Sequence, residues 1–156
     1  MRHASFQKGF TILELLMVIS IIAVLAAIIM LSFTSFRNSS ALQTTSENTI
    51  SILNKARSNT IGSKDGYQYG VHFGTNDATL FRGATFVVGD SSNEIYALDV
   101  AVQVSATSFT GGGSEVLFQK FTGKTDQYGT ITLQVSSDPT KTVTISIEET
   151  GVVGFQ

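Results

Sequence analysis

Apolar residues fall along this chain in three regimes. Residues 12–31 are apolar almost without interruption, Glu14 and Ser20 being the exceptions. A core helix of a soluble protein carries a polar stripe at helical period, and none is present here. About 20 such residues cross a bilayer core, so the segment is predicted to be a membrane-spanning helix. Residues 38–62 turn to Ser, Thr, Asn and Gln, with Leu42, Ile50, Leu53, Ala56 and Ile61 spaced along one face of a second helical stretch. Its other residues are mediocre helix formers, so packing must hold it. Gly62 is the expected stop. If continuous over residues 10–61, the helix would measure about 78 Å. The only proline, Pro139, lies far from it.

Beyond residue 67 short alternating runs are divided by turn residues, the signature of strands. They are predicted near 69–73, 79–82, 84–88, 94–98, 100–109, 115–121, 129–135, 142–148 and 152–155. Thr75-Asn76-Asp77 and residues 136–140 read as hairpin turns. The expected architecture is α+β: a long N-terminal helix, its second half laid across a small antiparallel sheet so that both bury their apolar faces.

Composition narrows the chemistry. Cysteine is absent, which excludes disulfides, thiolate metal sites and a thiol nucleophile. The formal charge is −2. Losing Arg2 and Lys8 would leave eight of the ten Lys and Arg against twelve acids. Such a chain is a poor general partner for nucleic acid, which needs clustered cations.

The order of features at the N-terminus is unlike that of a secretory signal, in which a small-residue cleavage site follows the apolar core. Here the small-residue junction, Gly9-Phe10, precedes it. Cleavage there would remove Arg2, His3 and Lys8 and leave the apolar helix on the mature protein. The basic residues on the leader side predict that side to be cytoplasmic, while Phe33, Phe36 and Arg37 suit the opposite interface. Glu14 would cost about 3 kcal/mol at the centre of a membrane helix, against roughly 0.3 to 0.6 gained per Leu, Ile or Val. The helix inserts regardless, so anchoring does not account for the acid. Intramembrane ionisable groups usually pair, and cleavage would put a free ammonium on Phe10, one helical turn away on the same face. Ala23 and Ala27 form a small-xxx-small pair compatible with close helix approach.

Gly9-Phe10-Thr11-Ile12-Leu13-Glu14 followed by a long apolar helix resembles the class III leader of type IV prepilins and type II secretion pseudopilins. The resemblance implies cleavage between Gly9 and Phe10 by a prepilin peptidase, methylation of the new Phe10 amine, and docking of Glu14 against the N-terminal amine of a neighbouring subunit. It implies residues 1–9 as leader, 10–36 as transmembrane and assembly helix, 37–62 as amphipathic continuation and 63–156 as head. The partners implied are the peptidase/methyltransferase, other pilin or pseudopilin subunits and inner-membrane lipid, with the head extracytoplasmic and the subunit later in a filament. Many major pilins carry a kinking proline late in the apolar segment; this chain has none. Leu117-Phe118, Thr122-Gly123, 129–133, 143–147 and 150–153 resemble the C-terminal pattern of GspH/FimT-type minor pseudopilins. Some FimT-like pilins bind DNA through a basic C-terminal region, but residues 151–156 contain no basic residue.

Elsewhere no enzyme signature stands out, and no cofactor is expected. His72 lies in a predicted strand without a second histidine or cysteine nearby, the setting of a filler residue more often than a ligand. Asp90, Asn93, Glu94 and Asp99 lack the alternation and glycine of an EF-hand loop and read as solvated turns. The alternative from another class is a single-pass, membrane-anchored extracytoplasmic binding module that does not polymerise, for which Glu14 would be incidental.

Overall fold

The computed structural model describes residues 9–156, and at positions 31 and 32 the backbone only. Arg2, His3 and Lys8 therefore lie outside the described residues. The chain divides into two compact units, one ending at Arg37 and the other Asn38–Gln156. A 50-residue helix, α1, runs Ile12–Ile61 through both.

In the first unit the apolar stretch of the helix is exposed. An 18-residue window of mean hydropathy 3.0 has none of its surface buried, and Leu16, Ile22, Leu25 and Ile29 are each more than half exposed. Two of its hydroxyls bond within the helix: Ser20 Oγ donates to the Leu16 carbonyl at 2.7 Å, and Thr34 Oγ1 to that of Met30 at 3.1 Å.

The second unit carries the core. Strand β1 (Tyr69–Phe73) pairs with β2 (Asp77–Arg82), β2 with β3 (Glu94–Ala97), and β1 also with β5 (Glu115–Leu117), giving the order β3-β2-β1-β5. A second sheet orders β4 (Val102–Phe109), β6 (Gly129–Val135), β7 (Asp138–Ile147) and β8 (Val153–Phe155) as β4-β6-β7-β8. All pairings are antiparallel. The head thus has two four-stranded sheets where one small sheet was expected. Alternation is clean in β6, where Ile131, Leu133 and Val135 are fully buried and the residues between them half-exposed. These three join Leu42, Leu53 and Ala56 of α1, Val71 and Leu80 of the first sheet, and Ile145 in one apolar cluster.

The buried face of α1 differs from the expected one. Leu42, Leu53 and Ala56 are buried, but Ile50 is only half-buried and Ile61 is exposed. Thr45, Ser46, Thr49 and Thr60 fill the same face. Ser46, Thr49 and Thr60 donate to the carbonyls of Leu42, Thr45 and Ala56, four residues back, at 2.7, 2.8 and 2.9 Å. A hydroxyl bonded to its own helix can be buried without the cost of an unpaired polar group. The Thr60 oxygen also accepts from the Tyr69 N–H at 2.9 Å, tying α1 to β1. Leu53→Ala, at a position with no exposure, is expected to lower head stability by about 3 kcal/mol, read as a shifted urea midpoint.

Three predicted strands end differently. Residues 84–88 form no strand: the β2–β3 connection folds back so that Phe86 stacks on His72 (ring centroids 4.0 Å apart, planes within 8°) and meets Phe81 edge-on at 5.7 Å. This covers the face of the first sheet that α1 leaves bare. Strand β5 stops at Leu117 because the chain reverses at once, the Gly123 N–H reaching the Gln119 carbonyl at 2.9 Å. Strand β7 begins at Asp138 and includes Pro139, with a register shift between Gln134 and Val135 of β6. Because β8 pairs only with 145–147, Pro139 lies on a free edge, where a missing N–H is tolerated. The helix ends at Ile61 as expected, but the left-handed residue that turns the chain is Ser63 (φ 47°), not Gly62.

Candidate functional site

Residues 9–14 lie at the exposed start of α1. Gly9 and Phe10 precede the helix, and nothing stands within 4 Å of the position a Cβ would take on Gly9. Phe10 is 80% exposed. Thr11 caps the helix: its Oγ1 accepts from the Glu14 N–H at 3.2 Å, and its carbonyl accepts from the Leu15 N–H at 3.1 Å. The Gly9–Phe10 peptide therefore sits in uncrowded, non-helical backbone, a form that can enter a protease cleft. Since Phe10 is outside the helix, it and Glu14 are not the stacked helical pair the spacing implied.

Thr11 is a site residue that the sequence reading passed over. Thr-x-x-Glu ahead of an apolar run is the capping-box pattern, so the signal was there. Its consequence is that the backbone N–H of Glu14, not its carboxylate, holds the first turn. The carboxylate is exposed in that turn, where it gains from the helix dipole and keeps its oxygens for another partner.

In the head, the acids that might have clustered are taken up separately. The Asp90 carboxylate accepts from Ser92 N–H and Oγ at 2.7 and 2.6 Å, bonds that lower its pKa. Asp99 accepts from the Ala101 N–H at 2.9 Å. The Asn93 amide donates to the Val87 carbonyl at 2.8 Å. Glu94 accepts from Lys55 Nζ at 2.6 Å and from the Tyr96 hydroxyl at 2.7 Å, fastening β3 to α1. Among the described residues no three His, Cys, Asp or Glu side chains gather as a metal site. Asp126 accepts from the Gln119 amide at 3.0 Å, and Glu148 from the Thr150 hydroxyl at 3.2 Å.

The Glu94 pair has a defined pH signature. Hydrogen bonds from Lys55 and then Tyr96 hold the Glu94 carboxyl below its ordinary 4.5. The bond to Glu94 raises Lys55 above 10.5. Stability from Glu94 is therefore present above pH 4.5 and is lost as pH falls through the depressed value; that from Lys55 is lost only as pH rises through its raised value. Both side chains are more than 40% exposed, which limits the pair to about 1 kcal/mol or less. Glu94→Gln is expected to lower the melting temperature slightly at pH 7. The difference from wild type should vanish once pH has fallen below the depressed Glu94 value.

A model of the prokaryotic N-terminal methylation motif matches residues 5–30. Among solved structures, the crystal structure of the type IV minor pilin FimU of Pseudomonas aeruginosa aligns at a TM-score of 0.55 and 13% identity, covering 74% of this chain and 92% of that one. At that identity the likeness is one of fold: a long apolar N-terminal helix with antiparallel sheets on its second half. No curated protein sequence matches the chain.

Proposed function

We propose that this chain, which joins an N-terminal methylation motif to the type IV pilin fold, is a minor subunit of a type IV pilus or of a type II secretion pseudopilus, of the GspH/FimT-like kind. A prepilin peptidase would cut between Gly9 and Phe10 and methylate the Phe10 amine. Glu14 would then receive the amine of an adjoining subunit as α1 leaves the inner membrane and enters the filament. Before assembly the apolar half of α1 would span that membrane once, with Arg2 and Lys8 on the cytoplasmic side and residues 63–156 outside it.

The observation that supports this most directly is the motif at residues 5–30 heading a helix whose first half exposes its apolar side chains on every side. Contiguous apolar surface of that extent is not left in water. Lipid and the helices of other subunits are the two environments that would cover it in succession. The unit Asn38–Gln156, by contrast, buries its own core and leaves an acidic, solvated surface, so nucleic acid is not an expected partner.

Mass spectrometry of the mature N-terminus tests the reading. A chain that begins at N-methylated Phe10 is the expected result. An intact Met1 on the native protein would overturn it in favour of a membrane-anchored module that does not polymerise. Low abundance relative to other subunits in sheared filaments would mark a minor subunit, and dominance would mark the major one.

A further inference from the structure

One cleft of the head is lined by no residue of α1. It has a volume of about 440 Å³ and lies between His72 of β1, Phe86 of the β2–β3 connection, the glycine turn 111–113, Glu115 of β5 and Gln127. That volume is in the range of about 300–1,000 Å³ typical of small-molecule sites.

Four features of its wall are open to a ligand. His72 Nδ1 is buried and has no hydrogen-bond partner, although buried polar atoms are nearly always paired. The Glu115 carboxylate, cross-strand from His72, has no partner among the described residues. Gln127 uses its Oε1 to accept from the Leu117 N–H at 3.2 Å, which leaves its Nε2 protons available. Gly111, Gly112 and Gly113 follow one another at φ 86°, 76° and 85°, with open space wherever a Cβ would stand. Three consecutive left-handed glycines carry a high conformational-entropy cost, and bare backbone of this kind is used where a ligand must come close.

The chemistry of the wall selects the ligand. It has no Lys or Arg, and it carries one carboxylate, so phosphates, nucleotides and other anions are disfavoured. With His72 and Glu115 as its only strong metal donors, it falls short of a cation site. What remains is a mixture of acceptors (Glu115), donors (Gln127 Nε2 and backbone N–H groups) and an imidazole that serves as either, beside the apolar ring of Phe86. A molecule that matches this presents several hydroxyls around an uncharged ring with an apolar face. We propose that the cleft binds a neutral saccharide of one or two rings.

The test uses full-length protein in detergent micelles, with backbone amide resonances as the readout and N,N′-diacetylchitobiose and maltose as probes. At about 10 mM, above the roughly 1 mM dissociation constant of a weak site, one of the two should shift the amides of residues 111–115 and 127. Inorganic phosphate should not. Glu115→Ala, which removes one charged acceptor, should weaken the binding roughly tenfold, with the dispersion of the β-sheet resonances retained. If Glu115→Ala disturbs the fold, Glu115→Gln serves instead, with weakening expected in the same direction. Absence of shifts with both sugars overturns the proposal. So do shifts confined to other parts of the head, a response to phosphate at the same amides, or sugar binding that is unchanged in the Glu115 variant that retains the fold.

Discussion

Glu14→Val is expected to leave cleavage before Phe10 intact and to abolish incorporation into filaments. The magnitudes separate the possible causes. Removing the carboxylate lifts an insertion cost of at most about 3 kcal/mol, the value at a helix centre, so the variant should reach the membrane at least as well as wild type. The lost helix-dipole interaction is worth about 0.3 to 1 kcal/mol. The Thr11 cap is made to the backbone N–H of residue 14 and survives the substitution, so the start of α1 should be unchanged. The remaining term is the pairing proposed between the carboxylate and the amine of an adjoining subunit. Leaving one member of a buried ion pair alone costs roughly 3–5 kcal/mol, more than a hundredfold in an association constant. Immunoblots of sheared filaments and of membranes, with mass spectrometry of the N-terminus, read the two outcomes separately. Incorporation at wild-type level would remove Glu14 from the assembly mechanism.

Gly151→Ala should be the most damaging single-methyl change in the head, at about 3–4 kcal/mol. Gly151 has φ 77° and its N–H bonds to the Glu148 carbonyl at 2.8 Å in the turn between β7 and β8. A Cβ there would run into the carbonyl oxygen of Gly123 and stand 2.9 Å from Arg57 Nε. Neither can step aside easily, because that carbonyl accepts from Arg57 Nε at 3.2 Å. Gly89→Ala is the control: its φ is 78° but nothing lies within 4 Å of its Cβ position, so it carries only the left-handed penalty of about 1–2 kcal/mol. Urea unfolding of the two variants in parallel distinguishes backbone strain from collision. Equal losses would show that the approach of residues 123 and 151 is unimportant to the head.

The candidate site was legible to different depths. Gly9, Phe10 and Glu14 stand out because their meaning depends on adjacent residues and on the apolar run that follows. Thr11 is equally local, its capping role readable from the Thr-x-x-Glu spacing. In the head, the cleft beside His72 was not legible at all. It joins β1, the β2–β3 connection, the turn before β5 and residue 127, segments up to 55 positions apart in sequence, and no short-range pattern connects them. The loose acidic group of 90–99 illustrates the converse: neighbours in sequence, they are drawn apart by Ser92, Lys55 and Ala101.

Local signals by themselves determined the methylation motif, the apolar helix with its end at Ile61, and the positions of β1 and β6, because caps, turn residues and side-chain periodicity act within a few residues. Only the tertiary structure decided that the strands divide into two sheets, that 84–88 becomes a cover for the first sheet instead of a strand, and that Ser46, Thr49 and Thr60 belong inside. Each of those outcomes depends on what lies opposite a residue after the chain has folded. A threonine is tolerable in a core when its hydroxyl has a carbonyl to bond, and a phenylalanine leaves a strand when a distant histidine and a second phenylalanine offer it a better-packed place.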